Sequence, residues 1–161
     1  MPVIDVSHDL DTLSLTIVAE FAAPVQRIWN LYADPRQLER IWGPPSHPAT
    51  FVEHSLKVGA RTMYYMTGPD GEKYYGYWVI TETDEPNRFS FDDGFADADF
   101  EPNPDLPVSR NVYRFDAVET GTRATYVGTY ASKAALEQVL AMGVVEGATS
   151  AINQIDGLLS E

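Results

Sequence analysis

The chain of 161 residues carries 24 acidic and 11 basic residues, which gives a formal net charge of −13, and it has no cysteine. The negative charge disfavours binding to nucleic acids and to anionic membrane surfaces, since both attract basic side chains. The absence of cysteine excludes disulfides, thiolate metal sites and a cysteine nucleophile. This length fits one domain, which we expect to span residues 1–161.

The N-terminal region predicts a strand followed by two short helices. Its first 15 residues contain no basic residue, unlike a signal peptide, and we expect a soluble, cytoplasmic protein. Residues 12–21 alternate in polarity and predict the first strand. Pro24 suits the first turn of a helix, and apolar residues then recur at helical spacing through Tyr32. A second short helix is predicted to begin at Asp34-Pro35 and to end at Trp42, before Gly43-Pro44-Pro45.

The middle of the chain predicts six short strands. They are joined by tight turns rich in glycine, proline and asparagine, and this pattern favours an antiparallel meander. The predicted strands span residues 49–54, 60–67, 72–83, 88–91, 110–118 and 123–131.

Residues 92–109 form a long predicted loop that is rich in aspartate, proline and glycine. Loops of this length in a compact domain are commonly functional or poorly ordered. The acidic residues do not follow the spacing of an EF-hand calcium loop. We therefore expect a solvated lid over a cavity mouth rather than a calcium site.

The C-terminal region predicts one long helix of about 28 residues that begins after Ser132, a suitable N-cap. Gly143 and Gly147 are four residues apart and are expected to share a helix face. Each costs roughly 1 kcal/mol relative to alanine inside a helix, which suggests a packing or functional reason. Two explanations remain open: the glycines leave room for a ligand, or they allow close packing or a kink.

Several sequence motifs, taken in their order along the chain, resemble the START-like superfamily, also called SRPBCC. Within it the chain is most similar to homologues of the activator of the heat-shock-protein-90 ATPase. The resemblance implies an α+β helix-grip fold, in which a curved antiparallel sheet of about seven strands wraps a long C-terminal helix and encloses a cavity. Family members commonly pair, so a homodimer is also implied. The motifs are Phe21–Trp29, Leu38–Pro45, Lys57–Arg61, Met66–Gly71, Asp84–Phe89 and Leu136–Gly147.

The predicted function is the binding of a small hydrophobic or amphipathic molecule between the sheet and the last helix. Aromatic residues are abundant in the predicted strands, and tyrosine offers apolar area together with one hydroxyl group, as ligand sites require. No cofactor is expected. The predicted ligand-binding residues are Trp29, Trp42, Met63, Tyr65, Tyr75, Tyr77, Phe91, Tyr113, Met142, Gly143, Glu146 and Gly147.

Two other functions remain open from the sequence. In a cyclase-like or hydrolase-like enzyme, Glu146 would be the acid or base if it faced the cavity, whereas a solvent-facing Glu146 would have no such role. A co-chaperone that binds a protein partner is the third interpretation, and the family resemblance alone suggests it. The three histidines, His8, His47 and His54, show no metal-ligand spacing. No catalytic motif is recognisable, so binding is favoured over catalysis.

Overall fold

The computed structural model describes residues 2–161, which form one antiparallel sheet with helices packed on one face. The strands are β1 (Val3–Asp9), β2 (Ser14–Phe21), β3 (Ala49–Glu53), β4 (Arg61–Thr67), β5 (Lys73–Asp84), β6 (Arg88–Ala96), β7 (Ser109–Val118) and β8 (Gly121–Tyr130). The helices are α1 (Val25–Ala33), α2 (Pro35–Leu38), α3 (Lys133–Ala141), α4 (Val144–Asn153) and α5 (Ile155–Leu159). The predicted helix-grip architecture is confirmed.

The eight strands are arranged in the order β1-β2-β8-β7-β6-β5-β4-β3. The prediction of about seven strands missed β1, which pairs with β2 at the edge of the sheet. Six of the seven residues of β1 are exposed, so the segment has no alternation of apolar and polar residues to indicate a strand. The sheet therefore has one strand more than the sequence predicted.

The predicted loop at residues 92–109 is shorter than expected because β6 continues to Ala96. The last residues of β6 pair with β5, where Tyr77 lies opposite Gly94 and Tyr75 lies opposite Ala96. The loop proper covers residues 97–108. Aspartate and glycine are uncommon in strands, and tertiary pairing overrides that local preference here.

The long C-terminal helix is interrupted, contrary to the prediction of one continuous element. Gly143 has a φ of +85° and separates α3 from α4, and a second break at Gln154 separates α4 from α5. A residue with this left-handed backbone commonly ends a helix, and glycine adopts it without a steric penalty. A kink was one of the explanations that the sequence left open for the two glycines, and the structure has it at Gly143.

The main core lies between the inner face of the sheet and helices α1, α4 and α5. Trp78, Phe89, Phe91 and Phe115 are fully buried there, with Trp29 from α1 packed edge-on against Phe89. Helix α3 instead joins a separate small cluster with Tyr130 at the end of β8. None of the helices within residues 2–161 combines the length and apolar character of a membrane-spanning segment.

Candidate functional site

A cavity of about 430 Å³ lies between the inner face of the sheet and helix α4. Ligand pockets commonly measure about 300–1,000 Å³. Its wall is mostly apolar and aromatic, with a few polar groups. The lining residues are Leu15, Ile17, Tyr32, Ile41, Trp42, Pro44, His47, Tyr64, Met66, Tyr74, Asp93, Phe95, Ser109, Asn111, Tyr113, Tyr126, Gly128, Tyr130, Val144, Gly147, Ala148, Ala151 and Ile152.

Helix α4 forms one wall of the cavity with small side chains. Gly147, Ala148 and Ala151 line it, and a Cβ atom added at Gly147 would meet no other atom within 4 Å. The missing side chain of Gly147 therefore leaves open space next to the cavity. The end of α4 is held firmly, because the Gln154 side chain donates a 2.7 Å hydrogen bond to the carbonyl oxygen of Gly43.

The cavity opens beside the loop that follows α2. His47 in this loop is partly exposed, and the ring of Tyr74 lies 5.8 Å away, measured between centroids. Half of the Tyr74 surface is accessible to solvent, although Tyr74 also lines the cavity. We place the mouth between these two side chains.

One carboxyl group, that of Asp93 on β6, lies on the cavity wall. Its Oδ1 accepts a 2.9 Å hydrogen bond from the hydroxyl of Tyr64 on β4. These two strands are separated by β5, and the Tyr64 ring crosses β5 at Gly76, where any Cβ atom would collide with it. The glycine thus allows a tyrosine and a carboxyl group from non-adjacent strands to meet.

Burial raises the pKa of Asp93 to about 7, while the hydrogen bond from Tyr64 lowers it. Desolvation disfavours the charged form of a carboxyl group, and no arginine or lysine forms an ion pair with Asp93 within residues 2–161. A carboxyl group with this pKa is partly protonated near neutral pH.

The remaining polar groups of the wall bond mainly to one another. The hydroxyls of Tyr32 and Tyr126 are 2.8 Å apart, and the Asn111 side-chain nitrogen donates a 2.9 Å hydrogen bond to the Ser109 hydroxyl. Burial raises the pKa of Tyr32 and that of Tyr126, so both hydroxyls stay neutral. Apart from Asp93 and the imidazole of His47, the wall presents neutral groups.

The structure brings three of the predicted ligand-binding residues to the cavity wall: Trp42, Tyr113 and Gly147. Trp29 and Phe91 are fully packed in the core beneath it. Gly143 occupies the break between α3 and α4, and the side chains of Met142 and Glu146 are exposed. An exposed Glu146 lacks the desolvated position that the enzyme interpretation required of it.

The other four predicted residues lie on the outer face of the sheet. Met63 and Tyr65 alternate with the cavity-lining Tyr64 and Met66 along β4, and Tyr75 and Tyr77 belong to the same outer face. Successive side chains of a strand point to opposite faces, so the aromatic residues of one strand cannot all reach one cavity.

The loop of residues 97–108 does not form the expected lid. Its Phe100 packs edge-on against Tyr75, with centroids 5.4 Å apart, and its carbonyl oxygen accepts a hydrogen bond from Arg61. Both contacts lie on the outer face, and no residue of this loop lines the cavity. The loop therefore covers the aromatic side chains opposite the cavity.

Sequence reasoning missed Asp93 because it assigned that residue to the acidic loop. The signal was nevertheless present, since Phe89, Phe91, Asp93 and Phe95 continue one alternation along β6. Tyr64 is one of many aromatic residues in the predicted strands, and the sequence alone does not show whether Tyr64 or Tyr65 faces the cavity. Within residues 2–161 no group of three or more histidine or acidic side chains is arranged to hold a metal ion.

The comparisons with known proteins agree with this architecture. The model of the family "Activator of Hsp90 ATPase homolog 1-like protein" matches residues 22–160. None of the curated proteins is a match for the chain.

Solved structures give close matches. The crystal structure of protein Ms6760 from Mycobacterium smegmatis is 73% identical, with a TM-score of 0.92, and the alignment covers 98% of this chain and 97% of that one. A protein from Arthrobacter aurescens, solved by NMR, is 45% identical, with a TM-score of 0.93 and coverage of 98% and 91%. The AHSA1 protein from Silicibacter pomeroyi is 19% identical and shares the fold, with a TM-score of 0.73 and coverage of 91% and 97%.

Proposed function

The chain belongs to the Activator of Hsp90 ATPase homolog 1-like protein family, and from this premise we propose that it binds a small hydrophobic or amphipathic molecule. The observation that carries the proposal is the cavity between the sheet and α4, which has apolar walls and few polar groups. Ligand sites typically combine these two properties.

The volume of the cavity limits the size of the ligand. A cavity of about 150 Å³ lined by apolar side chains holds one benzene molecule. The cavity here, at about 430 Å³, has room for a ligand of two or three rings. A molecule of this size with one polar end matches a cavity wall that is mostly apolar and carries a few polar groups.

Binding explains the cavity better than the two alternatives do. The enzyme that relies on Glu146 requires this side chain inside the cavity, and Glu146 is exposed. If the chain acts as a co-chaperone that binds a protein partner through its surface, the cavity has no role in that function.

The proposal is tested by titrating the protein with 2-(naphthalen-2-yl)ethanol, a neutral two-ring probe, in a calorimeter. We expect saturable binding with one molecule per chain. Gly147→Phe places a ring in the open space and is expected to weaken binding at least about 10-fold, which is 1.4 kcal/mol.

Gly157→Phe is the matched control, because Gly157 is an exposed residue of α5 that does not line the cavity. It is expected to leave the affinity unchanged. Absence of saturable binding to the unchanged protein, or equal affinity for the two variants, contradicts the proposal. Circular dichroism of both variants verifies that they are folded.

A further inference from the structure

The carboxyl group of Asp93 lacks a cationic partner in the part of the chain that the structure describes. The six ion pairs within residues 2–161 all omit Asp93, and its hydrogen-bond partner is the neutral hydroxyl of Tyr64. A buried charge is normally paired, because removing an isolated charge from water is costly. The cavity therefore offers one half of an ion pair.

The side chains around Asp93 would also favour a positive charge. Tyr64, Tyr113 and Tyr130 stand on β4, β7 and β8 around the carboxyl group. A phenol oxygen can accept a hydrogen bond, so these tyrosines can share the N–H groups of a ligand cation with the carboxylate. Helix α4 contributes only uncharged residues to this wall.

We propose that the ligand carries a protonated amine that binds against Asp93, while its aromatic or alicyclic rings fill the apolar part of the cavity. This inference rests on the proposed function and specifies its ligand class. A charge-assisted hydrogen bond from an ammonium group to a carboxylate is roughly twice as strong as a neutral one. A negatively charged ligand would meet repulsion from the same group.

The proposal gives binding a characteristic pH dependence. The pKa of Asp93 is raised to about 7 by burial, so the carboxylate that an ammonium group requires becomes populated between pH 6 and pH 8. An alkylamine remains protonated there, as a lysine side chain does. The affinity for an amine is therefore expected to rise with pH over this range.

Other titratable groups face the cavity and are tested separately. Two of them, Tyr74 and His47, lie at the mouth. The others are tyrosines whose pKa is raised by burial, so that their hydroxyls stay neutral: Tyr32, Tyr64, Tyr113, Tyr126 and Tyr130. His47→Asn removes the imidazole and is expected to preserve the pH dependence of amine binding.

The experiment compares three probes of the same shape by calorimetry at pH 6 and pH 8. They are 2-(naphthalen-2-yl)ethylamine, 2-(naphthalen-2-yl)ethanol and naphthalen-2-ylacetic acid. At pH 8 we expect the amine to bind about 10-fold more tightly than the alcohol, and the acid to bind most weakly. Asp93→Asn retains an acceptor for Tyr64 and is expected to abolish the preference for the amine, while binding of the alcohol persists.

Asp92→Asn removes the same formal charge from the outer face and serves as the matched control. If the alcohol binds but the amine has no advantage, or if Asp93→Asn keeps that advantage, the inference fails and the proposed function stands. If no probe binds to the unchanged protein, both fail together. The two failures are therefore distinguishable.

Discussion

Asp92 and Asp93 are neighbours on β6, yet the two faces of the sheet give them opposite surroundings. Asp92 lies on the outer face, where its Oδ1 is 3.5 Å from Nε of the exposed Arg110. Asp93 lies on the inner face, where it meets Tyr64 and the cavity. One step along a strand thus separates an aspartate that pairs with an exposed arginine from an aspartate that bonds to a buried tyrosine hydroxyl.

The aromatic residues show the same division. On the outer face, Lys73 lies 4.7 Å above the Tyr65 ring and Arg61 lies 5.2 Å from the centre of Tyr77. On the inner face, Tyr113 and Tyr126 pack edge to face, with 4.6 Å between their centroids, and no side-chain cation covers either ring within residues 2–161. Two outer rings thus have a cation of the protein close to them, whereas these two inner rings have aromatic neighbours.

The largest expected effect is on the free energy of unfolding and its pH dependence, when Asp93 and Asp92 are replaced one at a time. Burial raises the pKa of Asp93 to about 7 in the folded protein, from an ordinary value of 3.8. The folded state therefore holds more protons between these values, and stability falls as pH rises from 4 to 7. Asp93→Asn removes this loss, and urea unfolding at pH 8 is expected to show a gain on the order of 4 kcal/mol at most, since each pKa unit is worth 1.36 kcal/mol.

Asp92→Asn provides the control for that measurement. It removes an exposed ion pair, and such pairs typically contribute about 0–1 kcal/mol to the stability of a protein. We expect its stability to follow the pH dependence of the unchanged protein. Equal pH profiles for the two variants would show that the inner carboxyl group is solvated as well as the outer one.

A smaller effect is expected from adding one methyl group on each face. A Cβ atom at Gly76 would collide with the Tyr64 ring on the inner face, and one at Gly94 would collide with the Tyr77 ring on the outer face. Each alanine variant is expected to lose about 1–3 kcal/mol of stability through overpacking, measured by urea unfolding.

Only Gly76→Ala is expected to change the titration of Asp93. The displaced Tyr64 hydroxyl no longer stabilises the carboxylate, so the pKa of Asp93 rises further above its value of about 7. The pH dependence of stability, or carbon NMR of the carboxyl group, measures the shift. An identical shift in Gly94→Ala would contradict the role given to the crossing at Gly76.

The smallest expected effect concerns the cation above Tyr65. Lys73→Met keeps most of the apolar stem and removes the charge, so we expect a loss of about 0.5 kcal/mol, as for an exposed cation–π contact. Binding of 2-(naphthalen-2-yl)ethanol should be unchanged. A clear loss of affinity would mean that the outer face contributes to the site.

The fold could be predicted from the sequence because its signals are local. Alternation, turn residues and Pro24 located the helices and all the strands except β1, whose exposed side chains carry no pattern. The helix breaks at Gly143 because this residue has a positive φ. The sequence alone could not decide whether the glycine leaves room for a ligand or allows close packing or a kink.

The site was harder to predict because it depends on register. Along β4, the sequence Met63-Tyr64-Tyr65-Met66 offers two equivalent sets of alternating residues, and pairing with β5 decides which set faces inward. Asp93 required the further knowledge that β6 extends into an acidic segment. The contact between Asp93 and Tyr64 across β5 is a long-range relation that no local pattern contains.

The break at Gly143 divides the C-terminal region into two independent parts. Helix α3 packs through Leu136 and Val139 on Tyr130, whereas Ile152 of α4 and Ile155 of α5 anchor the rest in the main core. Tyr130 and Ile152 also line the cavity, whereas Gly147 lines it without belonging to either cluster. A larger side chain at Gly147 can therefore change which molecules fit in the cavity while both anchoring clusters stay intact.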